Sequence, residues 1–124
     1  MNYTTQMDAA NKGIVTREMK LAAEKEHMEP EELRKLAAEG RVVIPANKNH
    51  TCLEPNAIGS MLRTKINVNL GTSRDCMDMK QELEKVNYAV KLGAESIMDL
   101  SSFGDTQKFR RRLTAECPAM IGTV

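Results

Sequence analysis

The sequence predicts an α/β protein in which a helical region over residues 1–40 precedes a run of β-α-β-α-β units. Three observations carry this. Residues 64–73 read TKINVNLGTS, and Ile66, Val68 and Leu70 alternate with Lys65, Asn67 and Asn69. That is the period of a strand with one apolar and one polar face. Cys76, Met79, Leu83, Val86 and Val90 follow at steps of three and four, the spacing of one helix face. The strand-then-helix order then repeats, with SIMDLS at 96–101, a helical pattern over 105–116 and MIGTV at 120–124. Such crossovers are right-handed and give a parallel sheet. An open doubly wound sheet and a (β/α)8 barrel both begin this way. No GxGxxG turn follows the first strand, which speaks against a dinucleotide-binding sheet.

The elements in chain order have local reasons. Residues 5–11 read as a short helix closed by Gly13, and Thr16 is a suitable N-cap for a helix reaching His27. Glu29-Pro30-Glu31-Glu32 marks another helix start, with proline in the first turn and acids at the positive end of the dipole. Leu33, Leu36 and Ala37 give it an apolar stripe, and Gly40 stops it. These stripes are thin and rich in Ala and Met, so the helices are expected to pack on something larger. RVVIP at 41–45 is a short strand. Residues 51–63, with Pro55 and Gly59, read as irregular with one helical turn at most. The helix after the 64–73 strand is expected over 75–92, with Gly93 beyond its end. In the last helix Phe109 and Leu113 are the buried positions, and Arg110-Arg111-Arg112 reads as a solvated face.

Composition narrows the class. The 124 residues suit one globular domain, with 28% charged and 41% hydrophobic residues. Aromatic residues make up 3% while there are nine Met, so the core is built from aliphatic and Met side chains. A net charge of +1 gives no electrostatic case for nucleic acid or an acidic membrane. No apolar run approaches the ~20 residues that span a bilayer, and no signal peptide is visible, so a cytoplasmic location is expected. Cys52, Cys76 and Cys117 form no CxxC pair and read as reduced thiols. A chain that stops on a strand leaves an unpaired edge. It reads as the amino-terminal piece of a larger protein, or one that needs a partner.

Several groups could carry chemistry. In either sheet architecture ligands sit at the carboxyl ends of the strands, where Asn69, Gly71, Asp99, Ser101 and Thr123 fall. An asparagine on the polar face offers a donor and an acceptor to a ring or a sugar, or is satisfied by neighbouring strands. Gly71-Thr72-Ser73 ahead of a helix could receive an anion, or be an ordinary turn. Asp99 in an apolar strand marks a site or an internal anchor, because a buried acid needs a partner. His50, with Asn47 and Asn49 beside it, is a candidate ligand or base, with a structural role as the alternative. His27 reads as a surface residue. No Ser-His-Asp order, HExxH or paired metal-ligand spacing is present.

Taken together, TTQM (4–7), RVVIPANKNH (41–50), LRTKINVNLGTS (62–73), ELEKV (82–86), GAESIMDLS (93–101) and PAMIGTV (118–124) occur in one order along nearly the whole chain. They resemble the amino-terminal part of the ThiC family, the hydroxymethylpyrimidine phosphate synthases of thiamin biosynthesis. The resemblance implies an incomplete (β/α)8 barrel beginning in residues 41–124 after the helical region at 1–40, cut on its third core strand. It implies a radical S-adenosylmethionine lyase that rearranges aminoimidazole ribotide, works as a homodimer, and uses a 4Fe-4S cluster and zinc. By motif, Asn69 and Met98 are implied as substrate contacts, with Asp99, His50, Asn47 and Thr123 as weaker candidates.

Departures bear on what this chain does alone. The family's next substrate tyrosine comes just after GTVP, and this sequence ends at Val124. Its zinc histidines and CxxCxxxxC cluster motif have no counterpart, so no metal ligand is expected here and the isolated chain is expected to be inactive. Where the family has DLSTGG, this chain has Asp99-Leu100-Ser101-Ser102-Phe103-Gly104, and Phe103 could crowd that loop. Two alternatives share the motifs: the amino-terminal part of a 5-hydroxybenzimidazole synthase, and a non-catalytic truncated remnant or assembly subunit.

Overall fold

Capping chemistry sets the first two helices, and a first-turn proline the third. In the computed structural model, which describes residues 2–124, Thr5 caps α1 (Gln6–Asn11) by accepting the Asp8 N–H at 3.0 Å. Thr16 caps α2 (Arg17–Glu26) through the Met19 N–H at 3.1 Å. That helix ends where His27 turns left-handed at φ 55°. α3 (Pro30–Ala38) starts on Pro30, with Glu31 and Glu32 in its first turn.

The chain divides into two compact units, one reaching Ala46 and including Pro55–Thr64, the other made of Asn47–Glu54 and Lys65–Val124. In the first, the helices do build a core. Ala9, Ala10, Met19, Ala22, Ala23, Leu33, Leu36 and Ala37 are buried together with Val42, Ile44 and Ala57. The many alanines that thin the apolar stripes permit close approach of the helices. β1 (Val42–Val43) pairs antiparallel with β2 (Ile58–Gly59), a strand hidden in a stretch that reads as irregular. Residues 41–46 therefore group with the helices and not with the strands after residue 64.

The second unit is a three-stranded parallel sheet in the order β3 (Asn67–Leu70), β4 (Ser96–Asp99), β5 (Met120–Thr123). The crossovers are α4 (Met79–Lys91) and α5 (Thr106–Glu116). Both helices pack on one face: Val86, Ala89, Phe109 and Leu113 are buried with Leu70 and Ile97, and Val68 and Ile121 pack against them. Burying one leucine-sized side chain in such a cluster stabilises by about 1.5–3 kcal/mol. The opposite face carries Asn67, Asn69, Ser96, Met98, Met120 and Gly122, because side chains alternate along each strand.

Two local expectations change. α4 begins at Met79 and not near residue 75, because Asp78 caps it by accepting the Lys80 and Gln81 N–H groups at 3.0 and 3.1 Å. Cys76 thus lies outside the helix and is exposed. Ile66 precedes β3 and is 58% exposed, so the apolar face of that stretch is half-buried at Val68 and buried only at Leu70.

Candidate functional site

The strand register brings the two motif residues side by side. Asn69 pairs with Met98, and Met98 with Gly122, on the face without helices. Asn69 is exposed and Met98 half-buried. Gly122 matters for what it lacks. The Met98 Cε and Sδ lie 2.8 and 2.9 Å from where a Cβ on Gly122 would stand, so the thioether spreads over the bare backbone. Next to this row, Asn67 Nδ2 donates to Asn69 Oδ1 at 2.8 Å. Ser96 Oγ donates to Asn67 Oδ1 at 3.0 Å. The result is a carboxamide beside a soft, polarisable apolar surface. A planar heterocycle can lie against such a thioether and bond to the amide.

Asp99 is on the other face. It is fully buried, accepts Arg110 Nε at 2.8 Å, and accepts the Ser101 N–H at 2.9 Å. It holds α5 to the end of β4 and does not share a surface with Asn69. Arg110 is thereby removed from the solvated face expected for the basic run, and its Nη2 also donates to the carbonyls of Ser101 and Val124. Thr123 shares the row of Leu70 and Asp99 and is exposed.

His50 is buried, with Nε2 2.6 Å from the Cys117 carbonyl oxygen. That bond makes Nε2 the protonated nitrogen and the ring a clasp between residues 47–54 and the end of α5. Asn47 is exposed and its Oδ1 accepts the Asn49 N–H at 2.9 Å, a local turn. His50 meets the chain ahead of β5, toward the amino end of that strand, whereas Asn69 is near the carboxyl end of β3. The structure does not gather His50 and Asn47 with Asn69 and Met98. His27 is exposed at the end of α2.

Gly71-Thr72-Ser73 is not an anion cradle. The helix begins six residues beyond Ser73, and the N–H groups of Gly71 and Thr72 are already used. Gly71 donates to Glu82 Oε2 at 2.8 Å, and Thr72 N–H to Ser101 Oγ at 3.0 Å. Thr72 Oγ1 donates to the Phe103 carbonyl at 2.6 Å. Gly71 itself has φ 145°, and a Cβ there would run into the backbone of Leu100 and Ser101. The residue the pattern missed is Glu82. It is buried at a helix position, between Met79 and Val86, that should be apolar, and it also accepts Lys85 Nζ at 2.6 Å. That hydrogen bond raises the Lys85 pKa. The signal was present in the sequence as a charge on an apolar stripe.

The thiols are dispersed in character. Cys76 is exposed, Cys52 half-buried and Cys117 buried, where desolvation pushes its pKa up. Among the described residues no three or more His, Cys, Asp or Glu side chains converge. The donor set of this chain does not suit a 4Fe-4S cluster or a zinc ion.

Comparison with known sequences adds a second line. The sequence model of the radical SAM ThiC family matches residues 5–124. Over the full chain the sequence is 62% identical to a protein of Pelotomaculum thermopropionicum named phosphomethylpyrimidine synthase. It is 61% identical to one of that name from Clostridium botulinum strain Okra, and 59% identical to one from Clostridioides difficile strain 630. The chain spans 29%, 28% and 29% of the lengths of these relatives.

Proposed function

The chain belongs to the radical SAM ThiC family, and from that premise we propose that it is the amino-terminal part of a phosphomethylpyrimidine synthase that converts aminoimidazole ribotide to hydroxymethylpyrimidine phosphate. The observation that carries the proposal is the Asn69–Met98–Gly122 row on the face of the sheet without helices. Asn69 bonds the ribotide, and Met98 lies against its ring. Three parallel strands in sequential order, with both helices on one face, support the reading of residues 65–124 as the first turns of a (β/α)8 barrel whose interior is that face. In a barrel this surface faces inward, which explains why it carries amides and a thioether in place of a continuous apolar layer.

The chain's own contribution is binding and orientation. Asn69 fixes the ligand by a directed hydrogen bond, and Met98 excludes water from one side of the ring. The iron–sulfur cluster, S-adenosylmethionine and zinc of this chemistry are held by residues outside this chain, so the chain by itself is inactive as a lyase. The enzyme acts as a homodimer in the cytoplasm. Among the described residues no helix is long and apolar enough to cross a membrane.

The test is product analysis. Full-length protein carrying this chain is reconstituted anaerobically and given S-adenosylmethionine and aminoimidazole ribotide. Hydroxymethylpyrimidine phosphate is the expected product. Formation of 5-hydroxybenzimidazole, or no turnover by a cluster-loaded and ribotide-bound protein, would overturn the assignment.

A further inference from the structure

Asn69 is not alone on its face, and its neighbours decide which end of its amide a ligand meets. A carboxamide can rotate to present either its NH2 or its carbonyl. Here Asn67 and Ser96 select one. Asn67, two residues earlier on the same strand face, donates through Nδ2 to Asn69 Oδ1 at 2.8 Å. Asn67 is itself held, because its register partner Ser96 donates through Oγ to Asn67 Oδ1 at 3.0 Å. Donor and acceptor thus run in one direction from β4 to the end of β3. The Asn69 carbonyl is engaged, and its Nδ2 has no partner among the described residues.

We propose that Asn67 is a positioning residue, anchored by Ser96, that turns the Asn69 NH2 toward the ligand, so that the ligand atom met there is a hydrogen-bond acceptor. An oxygen or an unprotonated ring nitrogen satisfies it; a ligand offering only a donor at that point does not. The proposal rests on the reading of Asn69 as a ribotide contact. One neutral hydrogen bond that holds the amide changes binding by about three- to tenfold.

A double-mutant cycle on ribotide binding separates this from its alternatives. The dissociation constant of aminoimidazole ribotide is measured for the full-length protein and for Asn69→Ala, Asn67→Ala, the double variant and Ser96→Ala. Asn69→Ala is expected to weaken binding by about tenfold or more, and Asn67→Ala by about three- to tenfold. In the Asn69→Ala background the second change is expected to have less than about a twofold effect, because Asn67 acts only through Asn69. Ser96→Ala weakens binding in the same sense and carries the test if Asn67→Ala does not fold. If Asn69→Ala weakens binding while neither Asn67→Ala nor Ser96→Ala does, the positioning role is wrong and the site stands. Equal losses from Asn67→Ala in both backgrounds overturn the positioning role too, since a general structural effect does not depend on Asn69. If Asn69→Ala leaves binding unchanged, the site itself is misassigned and the inference falls with it.

Discussion

Replacing Arg110 with alanine tests how the carboxyl ends of the strands are held. Asp99 is fully buried, and Arg110 is its cationic partner at 2.8 Å, with a guanidinium side chain 29% exposed. Removing the arginine leaves a buried carboxylate with one remaining donor, the Ser101 N–H. Breaking a buried ion pair from one side costs about 3–5 kcal/mol. Water can reach the partly exposed arginine site, so the low end applies, about 3 kcal/mol. Asp99→Asn should cost about 1–3 kcal/mol, because the Ser101 N–H and Arg110 Nε–H bond different carboxylate oxygens and the amide keeps only one acceptor. The double variant removes the stranded charge, so it should be more stable than Arg110→Ala alone. Urea unfolding, followed by a signal from the sheet unit, measures all three. A loss below about 0.5 kcal/mol for Arg110→Ala, the level of an ordinary surface change, would return the arginine to the solvated face and refute the anchor.

Other perturbations have equally definite outcomes. Gly71→Ala combines a φ of 145° with a collision against the Leu100–Ser101 backbone, and should destabilise by about 2 kcal/mol or more in the same unfolding assay. Gly122→Ala meets only the flexible end of Met98, so it should displace the thioether, weaken ribotide binding several-fold, and change the unfolding midpoint little. His50→Ala removes a buried bond to the Cys117 carbonyl and should cost about 1–3 kcal/mol without altering ribotide affinity. Alkylation should label Cys76 first and Cys117 last. Burial raises the Cys117 pKa above 9.0, so the unfolded thiol loses its proton first as pH rises. The folded state then binds more protons, and stability falls from about pH 9 upward. Cys117→Ser should lack that alkaline component in urea midpoints taken at about pH 7 and about pH 10.

Much of the fold was legible because local rules were obeyed. Thr5, Thr16 and Gly40 mark helix ends by chemistry that acts within one turn. The alternation around Asn67–Leu70 sets one face against the other, and the structure places Asn69 and Met98 in one register row. The failures occurred where distant residues decided. β2 has two residues and exists through its pairing with Val42–Val43, which no local pattern announces. Cys76 fits the helical spacing, but Asp78 captured the first free N–H groups and moved the start of α4. Arg110 looked like one of three solvated arginines; only the buried Asp99, eleven residues earlier, singles it out. Gly71-Thr72-Ser73 resembled an anion site because its hydrogen-bond partners, Glu82, Ser101 and Phe103, are remote in sequence.

The most direct test of the account is the Met98 methyl signal. Full-length protein carrying this chain is labelled at its methionine methyl groups, the Met98 resonance is assigned with Met98→Leu, and aminoimidazole ribotide is added. The ring contact predicts that the Met98 resonance shifts on saturation while that of Met19, fully buried in the helical unit, stays in place. A Met98 resonance that does not move while the ribotide is bound would show that this face of the sheet is not the ligand surface.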